Sequence, residues 1–232
     1  MQRIGIIGAG AWGTALAMVA RRAGRDVTLW AREAEVVDAV NRHHENALFL
    51  PGVKLDRTIV ATDNLKHAVD GAEAIILVTP AQHSRAVAAE IAPLVTPDMP
   101  IVICAKGIEA ETLALMTEVM EDVLPGRPAC VLSGPTFAGE VARGLPTAVT
   151  LAAPTHTLGE HLTAALGGPR FRPYYSDDLI GAQIGGAVKN VLAIACGIVA
   201  GRGLGENARA ALITRGLAEM VRLGAAKGAH PE

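Results

Sequence analysis

The sequence predicts an α/β fold: a doubly wound, mostly parallel sheet followed by the start of an all-α second domain. Three observations carry this. Short runs rich in Ile and Val alternate with helix-compatible stretches as far as Asp178. The first of these runs leads directly into glycines spaced G-x-G-x-x-G, and a helix-compatible stretch follows them. Beyond Ser176-Asp177-Asp178 the strand-like runs stop, and two long helical segments follow.

The first strand is Ile4–Gly8, which opens the loop Gly8-Ala9-Gly10-Ala11-Trp12-Gly13 before a helix over Thr14–Ala23. Each glycine has its own physical task in a strand–turn–helix unit of the Rossmann type. Gly8 permits the tight turn, Gly10 lets the backbone approach a pyrophosphate, and Gly13 lets the helix pack closely on the sheet. Free N–H groups and the helix dipole then favour the negative charge of a dinucleotide. The second strand, Val27–Trp30, ends in Ala31-Arg32-Glu33. An acidic residue at such a strand end would bind the ribose 2′-OH of NAD, whereas the guanidinium of Arg32 suits the 2′-phosphate of NADP. The expected cofactor is therefore NADP(H), with NAD(H) as the alternative.

A helix is expected over Glu33–Arg42, then strands over Thr58–Ala61 and Ile75–Val78, a helix over Ser84–Ile91, and a strand over Ile101–Cys104. A helix over Glu111–Val123 and a strand over Cys130–Ser133 complete the alternation. Thr147–Ala152 and Phe171–Tyr175 read as further strands at an added edge of the sheet. The two long helices run over about Leu179–Ala200 and Asn207–Ala226, with the Gly201–Gly205 loop between them. These patterns divide the chain into a dinucleotide-binding domain, residues 1–178, and the first helices of an α-helical substrate domain, residues 179–232.

Half of the 232 residues are hydrophobic and the net charge is −2, which describes a globular chain without the basic footprint of a nucleic-acid or anionic-membrane binder. The first strand begins almost at Met1, leaving no room for a signal or transit peptide, and the expected location is the cytoplasm. Cys104, Cys130 and Cys196 lack paired spacing and read as buried thiols rather than a disulfide or metal framework. The adjacent His43-His44 pair lacks i, i+4 geometry, so no metal site is expected. Ile180 to Gly201 is long enough to span a membrane, but Gln183, Lys189 and Asn190 interrupt it, and a buried helix of a soluble protein is expected instead. The two final helices leave an apolar face without a partner, which a second copy of the chain or further sequence would cover.

Ligands in open α/β sheets bind outside the carboxyl ends of the strands. Val78-Thr79-Pro80, Ala105-Lys106-Gly107 and Ser133-Gly134-Pro135-Thr136-Phe137-Ala138 all end predicted strands and converge on one crevice. Thr79-Pro80 is expected to pin a loop, and Lys106 to bind an anionic substrate. Gly185-Gly186-Ala187-Val188-Lys189-Asn190 lies within the apolar helix. Two helix-interior glycines cost about 1 kcal/mol each, so something is expected to approach them closely. Partial desolvation there would make Lys189 a proton donor and acceptor, with Asn190 beside it in the substrate site.

Taken together, these motifs, with Asn46, Leu50-Pro51-Gly52 and Asn207-Ala208-Arg209-Ala210-Ala211-Leu212-Ile213-Thr214-Arg215-Gly216, resemble the bacterial NAD(P)-dependent glycerol-3-phosphate dehydrogenases over the whole chain. The resemblance implies hydride exchange between NAD(P)H and C2 of dihydroxyacetone phosphate, giving sn-glycerol 3-phosphate for phospholipid synthesis. It implies Lys189 as the proton donor and acceptor, and Lys106, Gly134 and Thr136 as substrate ligands. Ala11, Trp12, Arg32 and Ala138 would contact the dinucleotide, together with Lys106 and the three glycines of the loop. The family pattern continues past Glu232 with an Asp and an Arg-Asn pair in the substrate site, so the sequence reads as C-terminally truncated, with the Arg that clamps the substrate phosphate outside it. Two alternatives stay open: a 3-hydroxyacid dehydrogenase of the same architecture, and a non-catalytic NADP(H)-binding module. A small phosphate substrate and a homodimer are the expected partners.

Overall fold

Strand β1 (Arg3–Ile7) lies inside an eight-stranded sheet, flanked by β2 (Asp26–Trp30) and β6 (Ala74–Leu77), both parallel to it. The computed structural model describes residues 1–230, so the last two residues of the expected helical domain, Pro231 and Glu232, lie outside the described residues. β5 (Val60–Thr62) closes one edge beside β2. On the other side β7 (Ile101–Ile103) and β8 (Ala129–Ser133) continue the parallel set. β9 (Thr147–Ala152) then runs antiparallel to β8, and β10 (Phe171–Ser176) parallel to β9, which is the added edge expected from the sequence. Neighbouring strands were added on opposite sides of β1, so the loop after β1 stands at the point where strand order reverses.

The alternation of the strands explains the two helical layers. Ile4, Ile6, Ile76, Val102 and Leu132 point to one face, where they pack with α1 (Ala11–Arg22), α6 (Ala138–Arg143) and α7 (His156–Leu166). Ile7, Ile75, Leu77, Ile101 and Ile103 point to the other, against α3 (Leu65–Val69), α4 (Ala81–Ile91) and α5 (Met116–Val123). Strands buried on both faces must be apolar throughout, and each fully buried Ile or Leu contributes roughly 1.5–3 kcal/mol.

Several boundaries differ from expectation for local reasons. The helix expected over Glu33–Arg42 is a short α2 (Ala34–Asp38) followed by a π-helical turn over Ala39–His43, ended by His44 at φ +52°. The hairpin of β3 (Glu45–Asn46) and β4 (Leu50–Lys54) was not anticipated, because two residues are too few to show a period. The helix expected from Glu111 begins only at Met116, since residues before it form a loop closed by Glu109 and Ala114. α6 and α7 were also missed.

The helical segment comprises α8 (Leu179–Gly201) and α9 (Gly205–Lys227). Asp178 caps α8 by accepting the Gly181 N–H at 2.8 Å, which explains why the pattern changes there. The expectation of a buried helix is corrected. α8 is long and apolar enough to cross a membrane, yet only Gln183, Ile184 and Gly186 are buried, while Val191, Ile194 and Ile198 are exposed. Among the described residues, α9 packs against it along its length while β8, β9 and α5 meet it only near its start, so much of its surface has no cover. Cys196, on this helix, is correspondingly half-buried, unlike the buried Cys104 and Cys130.

Candidate active site

The glycine loop has the conformation its spacing predicts. Gly8 sits at φ +118°, and a Cβ there would lie 2.9 Å from the Val78 carbonyl oxygen. A Cβ on Gly13 would fall 1.8 Å from the Gly8 oxygen, so the first turn of α1 is pressed onto the end of β1. Gly10 differs: a Cβ would meet nothing within 4 Å, which leaves open space beside the loop. The first turn of α1 has no side-chain cap and no acidic residue. Its free N–H groups and that space fit a dinucleotide pyrophosphate.

Asn46 was quoted for its motif, but its task was not legible. It is fully buried, and its Nδ2 donates to the Ala9 carbonyl and to Thr14 Oγ1, each at 2.8 Å. Thr14 Oγ1 also donates to the Ala9 carbonyl at 3.2 Å, and Asn46 Oδ1 accepts the Phe49 N–H at 3.2 Å. One amide therefore ties the hairpin to the glycine loop and to α1. No short-range pattern could have revealed this contact between residues 37 apart.

Arg32 stands just past β2 with its side chain 79% exposed, paired among the described residues with Glu33 at 3.3 Å. Its guanidinium is free to turn toward an anion at the strand end. Ala11 and Trp12, half-buried, form the start of α1, and Ala138 begins α6 after Phe137, which is 74% exposed. Thr79, buried after β6, shares a hydrogen bond with Ser84 at 3.0 Å, and Ser84 donates to the Pro80 carbonyl, so this turn is pinned as expected.

The loops after β7 and β8 meet α8. Lys106 Nζ donates to the Gly134 carbonyl at 3.0 Å. Burial, and next the nearby Lys189 ammonium, lower the Lys106 pKa below the ordinary lysine value. Lys106 and Lys189 are both half-buried, and Lys189 stands on the wall of a 370 Å³ cavity. Ser133, Gly134, Gly185 and Gly186 share that wall. The close approach expected at the helix glycines occurs at Gly186 alone, where a Cβ would lie 2.8 Å from Ser133 Oγ. Gly185 has open space around it. Thr136 lies beyond the cavity wall with its N–H donated to Gly134, and Asn190 is exposed.

Gln183 was read only as a polar interruption, but it docks the helical segment. Its Oε1 accepts the Thr117 N–H at 3.0 Å, and its Nε2 donates to Thr117 Oγ1 and to the Leu179 carbonyl, both at 2.9 Å. This fixes the start of α8 against α5 and so positions Lys189 relative to Lys106.

Residues 3–158 match the family described as NAD-dependent glycerol-3-phosphate dehydrogenase N-terminus, and residues 178–232 match its C-terminal counterpart. The chain belongs to the NAD-dependent glycerol-3-phosphate dehydrogenase family. It is 64% identical to glycerol-3-phosphate dehydrogenase [NAD(P)+] of Paramagnetospirillum magneticum, covering all of this chain and 84% of that protein. Its identity to the enzyme of the same name from Rhodospirillum rubrum is 60%, over all of this chain and 66% of that one. The crystal structure of glycerol-3-phosphate dehydrogenase from Coxiella burnetii superposes with a TM-score of 0.93 at 42% identity, over 99% of this chain and 70% of that one. The fold is thus that of the glycerol-3-phosphate dehydrogenases.

Proposed function

We propose that this chain exchanges a hydride between NAD(P)H and C2 of dihydroxyacetone phosphate, interconverting it with sn-glycerol 3-phosphate. The observation that carries the reading is Lys189 on the wall of a cavity, with Lys106 near enough to feel its charge, in a family of this activity. Residues 1–178 form the dinucleotide-binding domain and residues 179–232 the helical side of the substrate site. In this reading the pyrophosphate lies at Gly8, Gly10 and Gly13, with Ala11, Trp12 and Ala138 beside the dinucleotide and Arg32 on the 2′-phosphate. The reduced nicotinamide, when bound, supplies the hydride that C2 receives.

The chain's own residues handle charge and protons. Lys189 on the cavity wall, with Lys106 bonded to the carbonyl of the lining residue Gly134, brings two cations to this region, which favours a phosphorylated substrate over a neutral one. Lys189 donates a proton to the carbonyl oxygen as C2 becomes tetrahedral, and takes it back in the reverse direction. Gly134 lines the cavity at the β8 loop; Thr136 next to it in that loop, and Asn190 next to Lys189, are the further substrate ligands of this reading. The setting of the reaction is the cytoplasm, where the product supplies phospholipid synthesis. A homodimer fits the uncovered helical face.

The test is NADPH oxidation with dihydroxyacetone phosphate set against 3-hydroxyacids in the reverse direction. Lys189→Ala lowers turnover at least about 10²-fold while NADPH binding, followed by fluorescence, survives. Turnover close to wild type in that variant overturns the proton assignment, and preference for a 3-hydroxyacid overturns the substrate.

A further inference from the structure

A second cavity, of 330 Å³, shares no lining residue with the one at Lys189. It opens where the ends of α1, α6 and α7 meet the start of β10. Its floor includes Val141, Leu166 and Phe171, all buried in the core. Three arginines, Arg22, Arg143 and Arg170, are among its lining residues, with Arg143 exposed at the rim. Nothing in the established family activity uses them.

The cations are unbalanced. Among the described residues no carboxylate lies within 4 Å of any of the three, although the chain as a whole is slightly acidic. Arg22 and Arg170 are close enough that burial, followed by the charge of Arg170, lowers the pKa of Arg22. Part of this arrangement is structural. Arg22 donates to the carbonyls of Val141 (2.9 Å) and Ala142 at the end of α6, and Arg170 donates to Gly144 at 3.2 Å. A guanidinium has five N–H groups, so most of the donors around the cavity remain available. Like charges gathered over an apolar floor favour a ligand that neutralises them and covers the floor together.

We propose that this cavity binds a small anionic amphiphile, with a phosphate or carboxylate head among the three arginines and a short hydrocarbon tail on the apolar floor. Inorganic phosphate alone would leave the floor wet, and a neutral amphiphile would leave the guanidinium groups unpaired. The volume stands at the lower end of those that hold small ligands, which limits the tail to a short one. The proposal goes beyond the dehydrogenase reading and does not depend on it.

Octyl phosphate titrated calorimetrically into the whole chain tests this. Saturable binding of one molecule per chain is expected, with inorganic phosphate and octyl glucoside each at least tenfold weaker. Arg143→Ala, which removes a guanidinium with no role in holding α6, weakens octyl phosphate at least tenfold and leaves NADPH binding unchanged. Leu145→Gln, at an exposed position on the rim, provides a second variant that perturbs the apolar side without touching the arginines. The proposal is overturned by any of four results: no saturable binding, equal binding of inorganic phosphate, equal binding of octyl glucoside, or octyl phosphate affinity unchanged in both variants. The last result would exclude the arginine cavity as the site of the octyl phosphate.

Discussion

Asn46 shows how one buried amide can govern a loop that it does not belong to. Its two donated bonds hold the Ala9 carbonyl and the Thr14 hydroxyl, so the turn between β1 and α1 cannot relax without leaving a buried donor unpaired. Asn46→Ala is expected to lower stability by about 1–3 kcal/mol and to weaken NADPH binding, checked by urea unfolding beside a fluorescence titration. Unchanged affinity in a folded variant would mean that the loop keeps its shape unaided. Arg32 is a different case. Its surface pair with Glu33 is worth about 0–1 kcal/mol at most, so Arg32→Ala should leave stability intact. Loss of a charge-assisted bond to the 2′-phosphate costs on the order of 1.5–3 kcal/mol, which weakens NADPH by about one to two decades and spares NADH. Equal loss for both cofactors would remove the 2′-phosphate role. The glycines were legible in the sequence because each task is met by one residue type at one spacing. Asn46 was not, because its partners lie far away along the chain.

Elements were legible where burial imposes a period and obscure where polar side chains set the ends. The loop before α5 illustrates the second case. Glu109 accepts two guanidinium bonds from Arg85 at 2.9 Å and the Thr112 hydroxyl at 2.5 Å, while its own N–H donates to the Ala114 carbonyl. Leu113 is held at φ +58°, and the Glu118 carboxylate takes the Leu115 N–H, so the helix starts at Met116 rather than Glu111. Helix propensity alone could not place that start. The Arg85 and Thr112 hydrogen bonds hold the Glu109 pKa down at about 2, against an ordinary 4.5. A depressed carboxylate stabilises the fold above its unfolded pKa and loses that contribution as pH falls through its folded one. The stability gap between wild type and Glu109→Gln should therefore be constant above about pH 5 and shrink as pH falls toward 2. Urea midpoints across that range check it, and a gap independent of pH would mean that the network contributes nothing through charge.

At the scale of the molecule, the site exists only where the helical segment docks on the sheet. Gln183 bonds to Thr117, Gly186 lets Ser133 approach, and Lys189 comes near enough for its charge to act on Lys106. The doubly wound sheet was readable from its buried strands, but the mating of α8 with β8 was not, because it depends on which of two adjacent glycines touches the sheet. That distinction can be measured. Alanine at either position gains about 0.5–1 kcal/mol of helix propensity, so any difference between the two variants reports their surroundings. At Gly185 the new methyl meets nothing within 4 Å and the propensity gain should appear as a higher melting temperature. At Gly186 it would lie 2.8 Å from Ser133 Oγ, so the Ser133 hydroxyl must rotate away or α8 must shift, and a shift should appear as a lower melting temperature. The same shift would move Lys189 relative to Lys106, and turnover of dihydroxyacetone phosphate should fall while NADPH, on the proposed glycine-loop site, binds as before. If the two alanine variants melt together and turn over alike, the close approach at Gly186 is not what holds the lysines in place.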